Sequence, residues 1–149
     1  MNRLKQLITI VAVLAFSSIA FFVHAQSPAR MVNPRTNAVQ PDLQIRQYLF
    51  SPANDKAMKV HVVNTGNAAS GLCVLRLTVR KINGVSVGRV TDVKLPPLSA
   101  SKDKWLVVDA KSILPINVSL ESTTFKLNAD ATAIVAESNE NNNEVWHNL

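Results

Sequence analysis

Side chains whose oxygen atoms can bind a cation are concentrated near the C-terminus of the chain. Six of them lie within fourteen residues: Asp130, Glu137, Asn139, Glu140, Asn142 and Asn143. Because Ca²⁺ takes about six to eight oxygen ligands, this set could hold the ion. Asn and Asp side chains also bond nearby backbone amides and so organise turns. The spacing lacks the alternating ligands and the glycine of an EF-hand. We therefore interpret the segment as a turn organiser and predict no metal site.

No motif of a known catalytic class occurs along the chain. The sequence contains no Gly-x-Ser-x-Gly, no His-Glu-x-x-His and no Walker-type glycine loop. His61 and His147 are far apart in sequence, and Cys73 is the single cysteine, so a zinc site has little support. Cys73 alternates in phase with Leu75 and Leu77, which predicts a buried thiol that behaves as a small hydrophobe. We predict no catalytic residues, metal or cofactor.

Three aromatic side chains offer a different chemistry, the stacking of sugar rings. Trp105, Trp146 and Tyr48 are the candidates for such a carbohydrate-binding platform. A small β-sandwich also needs large side chains to fill its interior, and Trp is usually well buried. We therefore expect the two tryptophans to pack in the core, with a carbohydrate-binding module as the alternative.

The first 25 residues have the design of a signal peptide. Arg3 and Lys5 precede an apolar run of 17 residues from Leu7 to Val23, and Ala25 offers a cleavage site. The run is at the short limit for crossing a bilayer. We expect residues 1–25 to form a signal-peptide helix that is cleaved, which leaves no membrane span. An uncleaved anchor is the alternative. Either way the domain is exported, to the periplasm, the cell surface or the medium.

The remaining charge is modest and scattered. Cleavage removes two of the 16 Lys and Arg residues and none of the ten Asp and Glu residues, so the exported chain has a net charge of +4. Its basic residues alternate with apolar ones, which indicates solvated strand faces and argues against a nucleic-acid partner. Residues 26–40 shift in composition to Ser, Pro, Asn, Arg and Thr without periodicity, so we expect a flexible leader.

From Pro41 onward the apolar residues recur with a period of two, which is typical of strands. Asn83-Gly84 separates two such stretches and predicts a tight hairpin turn. In the first stretch Gln47 has the phase of Leu43 and Ile45, which places these three side chains on one face. The predicted strands are 43–50, 58–63, 72–82, 85–93, 105–109, 123–129 and 144–148. We predict that residues 41–149 form an all-β, immunoglobulin-like sandwich of two sheets with about seven strands.

Three stretches of this domain resemble the CARDB family, the cell-adhesion-related domain found in bacteria. They are Pro41-Asp42-Leu43, the run Val62-Val63-Asn64-Thr65-Gly66, and the segment from Asp130 to Asn143 with its Glu137-Ser-Asn-Glu140 and Asn142-Asn143. The resemblance extends from about Pro41 to Leu149. It implies an immunoglobulin-type sandwich and, by association, adhesion. Such domains often occur in tandem or beside other modules, whereas this chain has one copy.

Export, a β-sandwich and the lack of catalytic motifs together indicate a binding role. We expect a non-catalytic module that binds an envelope or extracellular protein through strand edges or loop tips. A glycan is the alternative partner, and a small secreted hydrolase with a site assembled from distant strands is a less favoured alternative. The sequence leaves the identity of the partner and the oligomeric state open.

Overall fold

The computed structural model describes residues 39–149, which form seven strands and a single turn of 3-10 helix at Leu120–Ser122. The strands are β1 (Leu43–Ser51), β2 (Asn54–Asn64), β3 (Cys73–Ile82), β4 (Val85–Leu95), β5 (Asp103–Asp109), β6 (Thr123–Asn128) and β7 (Glu144–His147). The all-β prediction is therefore confirmed. The predicted signal peptide and almost all of the predicted leader lie outside the described residues.

The strands form two antiparallel sheets. One sheet has three strands in the order β1-β2-β5, and the other has four in the order β4-β3-β6-β7. The prediction of a two-sheet sandwich is confirmed. Among residues 39–149, no helix is long and apolar enough to span a membrane.

Alternation along the strands produces the core between the two sheets. Met58, Val60 and Val62 of β2 are buried on one side, and Phe125 of β6 is fully buried on the other. Cys73, Leu75, Leu77 and Val79 supply the inner face of β3, as their phase predicts. The core therefore consists mainly of Leu and Val side chains, together with one Phe.

A bulge in β1 changes the predicted phase of that strand. Ile45 pairs with Val62 and Gln47 pairs with His61, so Arg46 has no partner in the ladder. The extra residue turns Gln47 outward and Tyr48 inward, which corrects the expectation that Gln47 shares the inner face. The inward position allows the Tyr48 ring to pack edge-to-face against Phe125, with 5.5 Å between the ring centroids. Burial of an aromatic ring is more favourable than burial of an amide.

The turn between β3 and β4 confirms the hairpin prediction. Asn83 and Gly84 have φ angles of 50° and 77°. Two successive residues in the left-handed region match the twist of the adjoining strands, and Asn and Gly tolerate this conformation best.

Candidate functional site

The three stretches that carry the family resemblance meet at one end of the sandwich. The end cluster is the name that we give to Pro41–Leu43, to Asn64–Gly66 from the second stretch, and to the segment Asp130–Asn143. The Leu43 amide donates to Oε2 of Glu137 at 2.8 Å, and the Thr65 amide donates to the Asp42 carbonyl at 2.7 Å. The Ser138 amide donates to the Pro41 carbonyl at 2.9 Å. The segment before β7 is thereby tied to the start of β1.

Asn64 is the buried centre of the end cluster. Its Oδ1 accepts from the amides of Asp42 and Gly66, both at 3.0 Å. Its Nδ2 donates to the carbonyls of Ala68 and Leu98 at 2.7 and 2.9 Å. One side chain thus satisfies backbone groups from three separate segments, which explains a fully buried amide at the end of β2.

Gly66 is required because two segments approach each other closely at this point. A Cβ atom built at residue 66 would lie 2.4 Å from the carbonyl oxygen of Gln40 and 2.6 Å from the amide nitrogen of Asp42. Both neighbours are backbone atoms and cannot rotate away. Gly66 therefore lets the start of β1 lie directly against the turn after β2.

The six candidate calcium ligands form hydrogen bonds within this framework. The Asp130 carboxylate accepts from the amides of Ile134 and Val135 at 3.2 and 2.9 Å. Glu140 Oε1 accepts from the Glu137 amide at 2.8 Å, and Asn139 Oδ1 accepts from the Asn141 amide at 3.1 Å.

Two asparagines complete the link to β1. Asn142 Nδ2 donates to Oδ1 of Asp42 at 2.8 Å. In the amide orientation that satisfies its neighbours, Asn143 donates to the Leu43 carbonyl at 2.8 Å and to Glu137 Oε2 at 3.2 Å. Residues 39–149 contain no group of three or more His, Cys, Asp or Glu side chains placed to hold a metal ion. The described contacts are those of a turn organiser, and the absence of a metal site stays a prediction.

Glu137 is a buried carboxyl group in an acidic environment. Its exposed fraction is 7 %, and burial raises its pKa to about 7. The hydrogen bond from the Leu43 amide lowers the pKa, while the charges of Glu140, Asp130 and Asp42 raise it further. Because no basic side chain is among these influences, the ionised form costs free energy in the folded domain.

Cys73 lies beside this cluster and is buried, as the sequence predicts. Burial raises the pKa of its thiol to about 11, and the charges of Asp130 and Glu137 contribute in the same direction. A thiol that is neutral and inaccessible at neutral pH is a packing group and a poor nucleophile.

The two tryptophans lie at the surface, which corrects the expectation that they pack in the core. Trp105 is 40 % exposed and Trp146 is 49 % exposed. In β5, Leu106 and Val108 occupy the inward positions, so Trp105 and Val107 must face outward. In β7, Trp146 pairs with outward-facing Lys126, whose ammonium lies 5.7 Å from the centre of the Trp ring. The core is filled without either ring.

The two tryptophans belong to the outer faces of different sheets. Trp105 lies on the three-stranded sheet and Trp146 on the four-stranded sheet. The third aromatic candidate, Tyr48, faces inward, where its hydroxyl bonds Nδ1 of His147 at 2.9 Å. The three rings therefore do not form one sugar-stacking platform.

The outer face of the three-stranded sheet has an exposed apolar patch. We call it the apolar face and define it as Leu49, Lys59, Trp105 and Val107. Leu49 and Val107 are 53 % and 61 % exposed and flank Lys59 in one row across the sheet. The four residues, with Leu106, line an open depression of about 530 Å³. Trp105 and Val107 are neighbours on β5 and Leu49 lies across Lys59 from them, and exposed apolar side chains grouped on one face are typical of binding surfaces.

His61 supports the Trp105 ring from the central strand. The two rings stack at 4.6 Å with an angle of 7° between their planes, and His61 Nε2 bonds Oδ2 of Asp103 at 2.8 Å. His61 is on the outer face, as the phase of β2 predicts. One face of the indole is thus covered and its orientation is fixed.

The outer face of the four-stranded sheet is different in character. Arg76 binds Asp92 through two parallel bonds of 2.8 Å, and Lys126 donates to Glu144 at 2.6 Å. These side chains are opposite or diagonal neighbours on adjacent strands, so the charges compensate one another within the sheet. The contrast identifies the apolar face as the stronger binding candidate.

The apolar face is not among the sites that we predict from the sequence, although a signal for it is present. Trp105 and Val107 share the phase of Asp103 and Asp109, and charged residues at both ends of a short strand indicate the solvent side. The pairing of β5 with β2, which places Lys59 beside Val107, cannot be predicted from the phase of a single strand.

Two solved structures are similar to this chain, and the first of them supports the fold. A domain of a candidate cell surface protein from Methanosarcina acetivorans is 22% identical, with a TM-score of 0.54 over 72% of this chain and 88% of that chain. The CARDB domain of a Pyrococcus furiosus protein, solved in complex with di-metal ions, is 19% identical, with a TM-score of 0.47 over 72% of this chain and 84% of that chain. A search of curated proteins finds no match.

The family assignment rests on a match along most of the chain. The profile of the CARDB family matches residues 40–146, which include all the strands except the last residue of β7. The matched range also contains every residue of the end cluster, whose three segments carry the resemblance. The chain belongs to the CARDB family.

Proposed function

We propose that this protein is an exported, non-catalytic module that binds a protein partner at the cell envelope or outside the cell. The observation that carries the proposal is the exposed apolar face of the three-stranded sheet. Membership of an adhesion-related family and the likeness to a domain of a candidate cell surface protein support this location.

The composition of the apolar face favours a protein over a glycan. Trp is the residue type most enriched among strong contributors to protein interfaces, and it acts best when surrounded by other apolar groups. Leu49 and Val107 provide such surroundings, whereas the ring beside Trp105, His61, covers one face of the indole and so leaves less of it open to a sugar. The second tryptophan is on the other sheet, where it cannot contribute to the same site.

The depression beside Lys56 gives no support to the alternative of a small hydrolase. An open depression of about 500 Å³ contains Asp55, Lys56 and Lys111. The Lys56 ammonium donates to the Pro115 carbonyl at 2.6 Å, so it serves to hold the loop. No nucleophile with a neighbouring base lines this depression, which is the arrangement that hydrolysis requires.

The proposal is tested by affinity capture of partners from an envelope extract of the source cells. We would compare the unmodified chain with Trp105→Ala and with Trp146→Ala as the matched control, because both tryptophans are about half exposed. Loss of a captured protein with Trp105→Ala alone is expected. Equal capture by all three chains, or capture of polysaccharide without protein, would contradict the proposal.

A further inference from the structure

Each of the two described sheets has two edge strands. Three of these four edge strands have a feature that hinders the pairing of a further strand. β1 has a bulge at Arg46. β4 has Arg89 on its inner side, opposite buried Val79, and the guanidinium reaches across to the Ile113 carbonyl at 2.8 Å. β7 is only four residues long. A bulge, an inward charge and a short edge each hinder the pairing of another strand.

β5 has neither a bulge nor a short ladder, and its one charge in the inward phase, Lys104 opposite buried Val62, lies near the start of the strand. Its seven residues pair with β2 in seven consecutive steps without a shift of register. The four residues between Lys104 and Asp109 are all apolar, so charged side chains flank the strand without interrupting its centre. Among the described residues, β5 pairs with β2 alone. A regular strand with a free edge and an apolar centre is a template for an additional strand.

The register shows which backbone groups of β5 are free. The Lys102 carbonyl accepts from the Asn64 amide and the Ala110 amide donates to the Lys56 carbonyl, both at 2.8 Å, so even-numbered residues bond β2. Because hydrogen bonding alternates along an antiparallel strand, the amides and carbonyls of Trp105 and Val107 point to the open edge. Their side chains also belong to the apolar face. One added strand would therefore contact both the backbone and the patch.

The charges around this edge indicate the chemistry of the added strand. Four exposed lysines lie on or beside β5 and on the apolar face, and their ammonium groups make no hydrogen bond or ion pair with residues 39–149: Lys59, Lys102, Lys104 and Lys111. β5 also has two carboxylates, of which Asp103 bonds His61 and Asp109 accepts from the Lys111 amide, so the four lysines outnumber the acidic groups of this strand. A second copy of this edge would bring like charges together. An acidic segment complements it.

We propose that an extended, acidic segment of a partner protein adds to the open edge of β5 and becomes the fourth strand of the three-stranded sheet. This inference rests on the proposed function, because it specifies how the partner of the apolar face is held. Backbone hydrogen bonds to Trp105 and Val107 provide the pairing, the apolar face contacts alternate side chains, and the lysines select carboxylates.

The test uses a synthetic nine-residue peptide that alternates Glu with Val, with a Lys-for-Glu peptide as the charge control. Amide hydrogen exchange of the full chain is measured by NMR during titration. Near saturation, exchange at Trp105 and Val107 is expected to slow by about tenfold or more. The amides of Leu106 and Val108 already bond β2 and should change little. The Lys peptide should have no effect.

Val107→Pro supplies an independent readout. Proline removes an amide that points to the open edge, so it costs no hydrogen bond to β2 and the domain should keep its melting temperature within a few degrees. Binding of the acidic peptide should be lost. If the variant does not fold, the exchange data on the unmodified chain still decide the question.

Strand addition at β5 would be overturned if the acidic peptide does not bind at millimolar concentration, or if it binds without slowing amide exchange at Trp105 and Val107. Slower amide exchange at another edge strand would also overturn it. So would equal binding of the Lys peptide or self-association of the chain. These results are separate from the capture experiment. If Trp105→Ala still abolishes capture while the β5 amides stay unprotected, the apolar face binds its partner through side chains alone. In that case the proposed function stands and the edge proposal falls.

Discussion

Glu137 is a carboxyl group whose surroundings decide its role. Its sequence context resembles that of a metal ligand, yet in the folded domain its Oε2 accepts from the Leu43 amide and joins the last loop to β1. Burial that raises its pKa to about 7 makes this link sensitive to pH. A carboxyl group with a raised pKa binds its proton more tightly in the folded than in the unfolded state. The stability that it contributes is therefore complete below pH 4.5 and is lost as the pH rises to about 7.

Replacement of Glu137 by Gln should weaken this pH dependence. The amide oxygen can still accept from Leu43, and no charge is buried at neutral pH. We expect the free energy of unfolding of Glu137→Gln to decline less than that of the unmodified chain between pH 4.5 and 7, as measured by urea denaturation at several pH values. Glu121→Gln, at an exposed carboxyl group outside the end cluster, is the control. Equal slopes for Glu137→Gln and the unmodified chain would contradict this assignment.

The acidic residues of the end cluster give a second prediction. Their oxygens already accept backbone and side-chain hydrogen bonds, so the fold does not need a cation at this place. EDTA should leave the melting temperature of the protein unchanged, as measured by thermal denaturation with and without added Ca²⁺. A fall in melting temperature with EDTA that is restored by Ca²⁺ would contradict this prediction and show that the protein binds a stabilising cation.

Burial at the residue scale could be predicted where the alternation of a strand is unbroken. The inward positions of Cys73 and the neighbouring residues of β3 follow from sequence alone. Tyr48 and Trp105 could not be placed in this way. A bulge at Arg46 reverses the phase of β1. Whether such a bulge is favourable depends on the contacts that the Tyr48 ring makes with the other sheet, which the sequence of β1 does not show. The outward position of Trp105 depends likewise on how β5 pairs with β2.

At the scale of elements, the turn after β2 matters as much as the strand itself. The sequence Asn64-Thr65-Gly66 predicts a turn from composition. It does not predict that Asn64 would reach the Leu98 carbonyl, 34 positions away in sequence, or that Gly66 would lie against the Gln40–Asp42 backbone. These contacts depend on which strands become neighbours, and that information lies outside any single segment.

Removal of the Asn64 side chain should destabilise the domain strongly. Asn64→Ala removes the partner of the part-buried amides of Asp42 and Gly66 and of the buried Leu98 carbonyl. We expect a loss of about 3 kcal/mol in the free energy of unfolding, measured by denaturant titration. Asn139→Ala, at an exposed local turn, is the matched control and should cost less than about 1 kcal/mol. A cost for Asn64→Ala no larger than that of the control would refute the central role of Asn64.

For the molecule as a whole, the sandwich could be predicted from sequence, whereas its binding surface could not. Seven stretches with a period of two and a strong hairpin signal are enough to indicate two antiparallel sheets. Which outer face is apolar depends on the order of strands in each sheet. Lys59 of β2 lies between Leu49 of β1 and Val107 of β5 only because β2 is central.

The difference between the two outer faces is the basis of the functional account. One face has two ion pairs between its strands, Arg76 with Asp92 and Lys126 with Glu144. The other presents Trp105 on a fixed stack with His61, beside unpaired lysines and exposed apolar groups. A surface whose aromatic ring is held in place, and whose charged and apolar groups lack partners within the domain, is suited to bind another molecule.

The most direct test is photocrosslinking in the source cells. A photoreactive amino acid would replace Val107 on the apolar face or, as the matched control, Val90 on the outer face of the four-stranded sheet, since both are exposed valines in edge strands. We expect a discrete protein adduct, outside the cytoplasm, from position 107 and none from position 90. An adduct from position 90 alone, the same adducts from both positions, or none from position 107 would contradict a partner bound at the apolar face.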